Sequence, residues 1–150
     1  MKLHLLLLLV ALSTGLLAPN AALSQTSVEG DYVTESYPER GNGLDWVAVT
    51  ISSVTETSAH MQVRSRTDKK KATCTYDAEL TRRGDGVFTA NIEGPATMVV
   101  KIEDNVLYIS TKNEDNSIRL MYYCSGGGTM EGAYLKLNEP LDTSQFKDRK

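Results

Sequence analysis

The residues with the most evident capacity for chemistry lie in one short stretch near the end of the chain. Cys124 is followed directly by Ser125 and by three glycines, Gly126, Gly127 and Gly128. A serine beside glycines is a feature of nucleophile elbows, and a glycine-rich turn is a feature of phosphate-binding loops. Both sites require a helix directly after the loop. The following sequence is typical of a strand, so we expect this loop to bind and not to catalyse.

The remaining reactive side chains are scattered. His60 is the only histidine outside the amino-terminal leader, and it has no partner at the spacing of a zinc site. The carboxylates fall in turns or on the polar faces of predicted strands, whereas general acid–base catalysis needs a carboxylate in an apolar pocket. The sequence therefore predicts no metal site, no cofactor and no enzymatic activity.

The amino-terminal segment has the pattern of a secretory signal peptide. Lys2 supplies a positive charge, residues 5–12 are continuously apolar, and the small residues Ala22 and Ser24 precede Gln25. The apolar run is too short to span a bilayer comfortably. We expect residues 1–24 to be removed, leaving a secreted or periplasmic protein that does not span a membrane. A retained anchor is the alternative.

Two cysteines, Cys74 and Cys124, follow the predicted cleavage point. In an exported protein two cysteines most often pair, and this pair would close a loop of about 50 residues. The alternative is two buried free thiols.

The net charge excludes one class of partner. The full chain carries a charge of −3, and loss of Lys2 with the leader makes it −4. Nucleic-acid binding needs a basic face, so we expect no nucleic-acid partner. A mildly acidic protein attracts a basic partner weakly.

Alternation of apolar and polar residues predicts strands along most of the chain. The clearest example begins at residue 72, where Cys74, Tyr76 and Leu80 share one face. Strands are predicted at 28–37, 44–54, 59–66, 72–81, 87–92, 96–102, 106–111, 118–124 and 129–137. No segment has the pattern of an amphipathic helix.

Eight or nine short strands joined by short turns favour an all-β fold. The simplest topology is a small antiparallel up-and-down barrel of about eight strands, covering residues 25–137 and closed by one disulfide. The matching triplets that begin at Gly30 and Gly132 suggest that the first and last strands pair and close the sheet, although coincidence is the alternative. Residues 138–150 form a polar segment that we expect to be a flexible tail.

The glycine-rich loop is the strongest candidate for a binding site. Three glycines cost backbone entropy, and a loop that is only a spacer more often carries Asn or Asp. The disulfide and the last strand would hold the loop, which lowers the cost of ordering it on binding. The predicted binding residues are Ser125, Gly126, Gly127, Gly128, Tyr123 and Tyr134. The alternative is a wide turn or bulge that closes the barrel.

The stretch from Cys124 to Tyr134 resembles the small β-barrel lysozyme inhibitors of bacterial periplasms. The shared features are a secreted β-domain with two cysteines and the pattern Cys-Ser-Gly-Gly-Gly followed by Gly-x-Tyr. In that family a loop containing Ser-Gly enters the active-site cleft of lysozyme. The resemblance implies that Ser125 and its glycines form an inhibitory loop and that a lysozyme is the protein partner. Tyr134 lies farther from Ser125 than the family's loop pattern expects.

Two further functions stay open. The start at Gly30-Asp31-Tyr32 resembles the Gly-x-Trp of lipocalins, without the tryptophan, which would imply a calycin-like carrier of a small apolar ligand. A barrel of about eight strands is either filled by side chains or holds one ligand. The bulky residues Met61, Phe88 and Met98 favour a filled interior. The third possibility is a structural envelope protein without a separable activity.

Overall fold

A computed structural model describes residues 27–67 and 73–146 of the chain. The predicted signal peptide at 1–24, the start of the strand predicted at 72, and residues 147–150 lie outside these ranges. The described strands are β1 (Gly30–Val33), β2 (Val47–Ser52), β3 (Ser58–Ser65), β4 (Thr75–Gly84), β5 (Val87–Asn91), β6 (Thr97–Glu103), β7 (Val106–Thr111) and β8 (Gly132–Lys136). A first 3₁₀ helix covers Tyr37–Asn42 and a second covers Glu114–Tyr123.

The strands form a closed antiparallel barrel in the order β1 to β8, which confirms the predicted fold. Strand β8 closes the barrel by pairing with β1, with Tyr32 opposite Lys136 and Val33 opposite Leu135. The first and last strands therefore pair as expected, but their matching triplets do not face each other. Closure leaves neither terminal strand as an open edge.

Side chains fill the barrel interior. Alternate residues of each strand point inward, because successive side chains of a strand lie on opposite faces. The largest fully buried side chains of the interior are Tyr32, Ile51, Met61, Leu80, Phe88, Met98, Leu107, Ile109, Leu120 and Tyr134. Burial of each such side chain stabilises the fold by about 1.5–3 kcal/mol.

The predicted strand at 118–124 is wrong, because the second 3₁₀ helix occupies this segment. The Asn113 side chain caps the helix by accepting a hydrogen bond from the amide of Asp115, at 3.1 Å. A 3₁₀ helix has about three residues per turn, so every third residue lies on one side. Ser117 and Tyr123 are half-buried and Leu120 is fully buried. Buried side chains therefore recur at every third residue, whereas the alternation of residue types predicted burial at every second residue.

Two further strand boundaries differ from the prediction. The first strand ends at Val33, and Tyr37 begins a 3₁₀ helix with Pro38 in its first turn. Proline is favoured there because its fixed φ suits the first helical turn. The last strand begins at Gly132, three residues later than predicted at its amino-terminal end.

A second, smaller apolar cluster lies on the outer face of β1 and β2. Its buried members are Val33, Tyr37, Trp46 and Ala48. Val33 follows the inward-facing Tyr32, and Ala48 precedes the inward-facing Val49. Both therefore point away from the interior, because successive side chains of a strand lie on opposite faces.

The described part of the carboxy-terminal segment covers this outer cluster. Leu141 and Phe146 pack against it, and the Phe146 ring lies 5.2 Å from the Trp46 ring between centroids. The Trp46 indole Nε1 donates a hydrogen bond to the Gln145 side-chain oxygen at 2.7 Å. The polar composition of 138–150 predicts only a flexible tail and does not reveal these contacts.

Phe146→Ala should destabilise the protein by about 1–3 kcal/mol, because it removes a half-buried ring from the outer cluster. The emission of Trp46, the only tryptophan of the chain, should shift to the red as water reaches the indole. Urea unfolding followed by fluorescence measures both effects. Tyr108→Ala, at an exposed site on β7, is the control. An unchanged emission maximum and midpoint would show that the segment does not cover Trp46 in solution.

Candidate functional site

The glycine-rich loop lies at one end of the barrel. This end, here called the loop end, carries the connections between β1 and β2, β3 and β4, β5 and β6, and β7 and β8. The opposite end, here called the open end, carries the start of β1 and the turns between β2 and β3, between β4 and β5, and between β6 and β7. The second 3₁₀ helix and the loop cross the loop end, where Leu120 and Met130 are fully buried.

The disulfide between Cys74 and Cys124 fastens this covering segment to the barrel. Cys74 directly precedes β4, and Cys124 directly follows the second 3₁₀ helix. The two residues also form an isolated antiparallel bridge. The predicted pairing is confirmed, and the alternative of two free thiols is wrong. A structural disulfide is consistent with an oxidising, non-cytoplasmic compartment.

Ser125 also attaches the loop to the barrel, through hydrogen bonds to Thr73. Its amide donates a hydrogen bond to the Thr73 carbonyl at 2.8 Å. Its hydroxyl lies 2.8 Å from the Thr73 hydroxyl and accepts a hydrogen bond from the Thr73 amide at 3.3 Å. The Ser125 side chain thus holds the base of the loop against the segment before β4.

The three glycines that follow have two different structural roles. Gly126 and Gly127 adopt φ angles of 63° and 82°, which favour glycine. The Gly128 amide donates to the Ser125 carbonyl at 3.2 Å and closes the turn. A Cβ at Gly128 would lie 3.4 Å from the Cys124 Cβ and 3.5 Å from the Cys74 Sγ, whereas one at Gly127 would meet nothing within 4 Å. The tip of the loop is therefore open to solvent, and its base packs on the disulfide.

The two tyrosines predicted to contact a partner have different surroundings. Tyr123 is half-buried, its ring lies 4.5 Å from the Tyr76 ring between centroids, and its hydroxyl accepts a hydrogen bond from the Glu93 amide. Tyr134 has an exposure of 2% and donates its hydroxyl proton to the Met130 carbonyl at 2.7 Å. Burial raises the pKa of Tyr134. Tyr134 therefore belongs to the core, which corrects its predicted place in the binding surface.

The second 3₁₀ helix also exposes apolar side chains that are not among the predicted binding residues. A strand at 118–124 would turn Ile118 and Tyr122 inward with Leu120. In the 3₁₀ helix Tyr122 and Ile118 have exposures of 61% and 60%, and Met121 is also exposed. With the loop they form what we call the loop-end surface, defined as Ile118, Met121, Tyr122 and Ser125–Gly128.

The segments around the loop-end surface carry charges of both signs. Glu114 and Asp115 lie in the first turn of the second 3₁₀ helix, and Glu131 follows the loop; all three are exposed. Arg119 lies in the same helix and donates to the Glu93 carbonyl at 3.2 Å. Lys112 is exposed in the same connection, and the sequence places Lys69, Lys70 and Lys71 in the β3–β4 connection, so neither charge predominates.

Within residues 27–67 and 73–146, no three His, Cys, Asp or Glu side chains are grouped in a way that could hold a metal ion. None of the helices in this part of the chain has the length and apolar character needed to cross a membrane. Comparison of the chain with known protein families, curated protein sequences and solved structures found no match.

Replacing both cysteines, as Cys74→Ala with Cys124→Ala, should lower the free energy of unfolding by up to roughly 4 kcal/mol. The reason is that the bridge restricts the unfolded chain across 50 residues. Urea denaturation measures the loss. Equal stability of the variant and the oxidised protein would contradict a structural role for the bridge.

The half-buried Tyr76, whose ring packs against Tyr123, should make the protein sensitive to alkali. Burial, and secondarily the Tyr123 phenol, raise the pKa of Tyr76 from 10.0 to about 12. The folded state therefore favours the neutral phenol, so the stability that Tyr76 contributes is complete below pH 10.0 and is lost as the pH rises to about 12. Tyr76→Phe should make this fall shallower in urea denaturation across that range, and Tyr108→Phe, at an exposed site, should not. Equal slopes for both variants would contradict the assignment to Tyr76.

Proposed function

We propose that this protein is a secreted or periplasmic binding protein that inserts the Ser125–Gly128 loop into the cleft of a protein partner. The observation that carries the proposal is the attachment of the loop. Its tip is exposed, while Ser125 is hydrogen-bonded to Thr73 and the preceding Cys124 is covalently bound to Cys74.

A loop held in this way loses little freedom on binding. Ordering a flexible loop costs affinity, and a loop attached at its base has already met much of that cost in the folded protein. The glycine tip carries no side chains, so it fits a narrow cleft. Tyr122 and Ile118 supply exposed apolar area beside it, and tyrosine is enriched among residues that dominate binding energy.

A lysozyme is the partner that we propose for this loop. The support is the resemblance of residues 124–134 to the inhibitory loops of small periplasmic lysozyme inhibitors, together with the net charge of −3. A net negative charge attracts a basic enzyme weakly. Side chains fill the barrel interior, which favours the loop over the barrel as the binding site for this function.

The test is inhibition of chicken-, goose- and invertebrate-type lysozymes by the purified protein, compared with the variant Gly127→Asn. Asparagine tolerates a positive φ, and a Cβ at Gly127 meets no atom within 4 Å, so the fold should hold. The added side chain at the loop tip should weaken inhibition of the responsive lysozyme by about tenfold or more.

Gly43→Asn is the matched control, because Gly43 also has a positive φ of 89° and open space at its Cβ. It lies after the first 3₁₀ helix and should leave inhibition unchanged. A companion pair is Tyr122→Ala, expected to weaken inhibition, and Tyr108→Ala on the barrel wall, expected to leave it unchanged. No inhibition of any lysozyme class would refute the lysozyme proposal. Normal inhibition by Gly127→Asn and Tyr122→Ala would refute the role of the loop.

A further inference from the structure

The open end of the barrel contains a cavity of about 490 Å³ that the loop does not touch. Its walls come from the segment before β1, the end of β2, and the turns between β4 and β5 and between β6 and β7. Tyr32, Val54 and Ile102 give it an apolar side. A volume of this order is typical of sites for small molecules.

Arg82 lines this cavity, and one nitrogen of its guanidinium group lacks a hydrogen-bond partner in the part of the chain that the structure describes. It lies two residues after the buried Leu80, so its side chain points inward, and its guanidinium carbon lies 5.1 Å from the centroid of the buried Phe88 ring. The Arg82 Nε is buried and has no hydrogen-bond partner among the described residues. A guanidinium has five donors and no acceptor, and a carboxylate matches its geometry with two parallel hydrogen bonds.

The rim of the same cavity is acidic. Its carboxylates belong to Glu29, Asp85, Glu103 and Asp104. Glu29 accepts a hydrogen bond from the Val54 amide, and Glu103 pairs with Lys101. Within the described part of the chain none of the four forms an ion pair with Arg82. The cavity therefore combines the inward-facing Arg82 with exposed carboxylates, and the Lys136 ammonium group lies on the side formed by Ser27 and Tyr32, where it donates to the Ser27 carbonyl.

We propose that this cavity binds a small zwitterion of the amino-acid class, with its carboxylate on Arg82 and its ammonium group at the acidic rim. A simple anion would satisfy Arg82 but would meet four carboxylates. A simple amine would suit the rim but would leave the Arg82 guanidinium, which lines the cavity, without an acceptor. An apolar side chain on the ligand packs against Tyr32, Val54 and Ile102.

An unpaired buried guanidinium nitrogen lowers stability, since it has lost water without gaining a partner. Residues that reduce stability in this way are concentrated at functional sites. Arg82→Met keeps the apolar stem over Phe88 and removes the unpaired donor, so the melting temperature should not fall. A stable variant that loses ligand binding distinguishes a binding residue from a structural one.

The test uses three related compounds and isothermal titration calorimetry with the purified protein. Phenylalanine carries both charged groups, 3-phenylpropionate lacks the ammonium group, and 2-phenylethylamine lacks the carboxylate. Phenylalanine should bind saturably, and each of the other two should bind about tenfold more weakly or worse, since each loses a charged hydrogen-bonding group. This comparison needs no variant.

Arg82→Met should weaken phenylalanine binding by about tenfold or more. Arg83→Met is the matched control, because Arg83 is the next residue, is exposed, and donates to the Thr89 hydroxyl on the outer face. It should bind as the unmodified protein does. The absence of saturable phenylalanine binding would overturn the proposal. Binding of 3-phenylpropionate as tight as that of phenylalanine would also overturn it. So would phenylalanine binding by Arg82→Met that equals binding by the unmodified protein. Lysozyme inhibition should not respond to phenylalanine, because the loop lies at the other end of the barrel.

Discussion

The covalent bond between Cys74 and Cys124 is the constraint on which the loop end depends. The barrel closes through backbone pairing of β8 with β1, but that pairing does not determine where the segment between β7 and β8 lies. The disulfide fastens this segment beside the start of β4. Leu120 and Met130 then cover the interior, and Ser125 bonds to Thr73. The same bond therefore excludes water from the core and fixes the base of the exposed loop.

The two ends of the barrel differ in chemistry. The loop end is covered, presents exposed apolar side chains and a glycine tip, and suits contact with another protein. The open end retains a cavity with Arg82 at its floor and carboxylates at its rim, and suits a small polar molecule. The filled interior separates the two, so the proposed activities are independent of each other. A barrel allows this arrangement because its strands fix the core while its connections remain free to vary.

The alternation of residue types predicted most of the barrel, because a strand with one face buried must alternate. The prediction from alternation failed at the segment that is not a strand. At 118–124 an alternating pattern belongs to a 3₁₀ helix, and a short segment carries too few residues to separate a period of two from one of three. Tyr134 was assigned to the surface because sequence proximity to the loop does not reveal which way a side chain points. The contacts of Phe146 and the cavity at Arg82 join residues far apart in the chain, and no local pattern encodes them.

The function proposed for the loop requires a base that is held and a tip that is free. Amide hydrogen exchange, measured residue by residue by NMR, reports on both parts of the loop. In the oxidised protein the Ser125 amide, which donates to the Thr73 carbonyl, should exchange slowly, and the Gly127 amide should exchange quickly. Reduction of the disulfide should accelerate exchange at Ser125 while the amides of β2 and β3 stay protected. Rapid exchange at Ser125 in the oxidised protein, matching that of Gly127, would contradict the account.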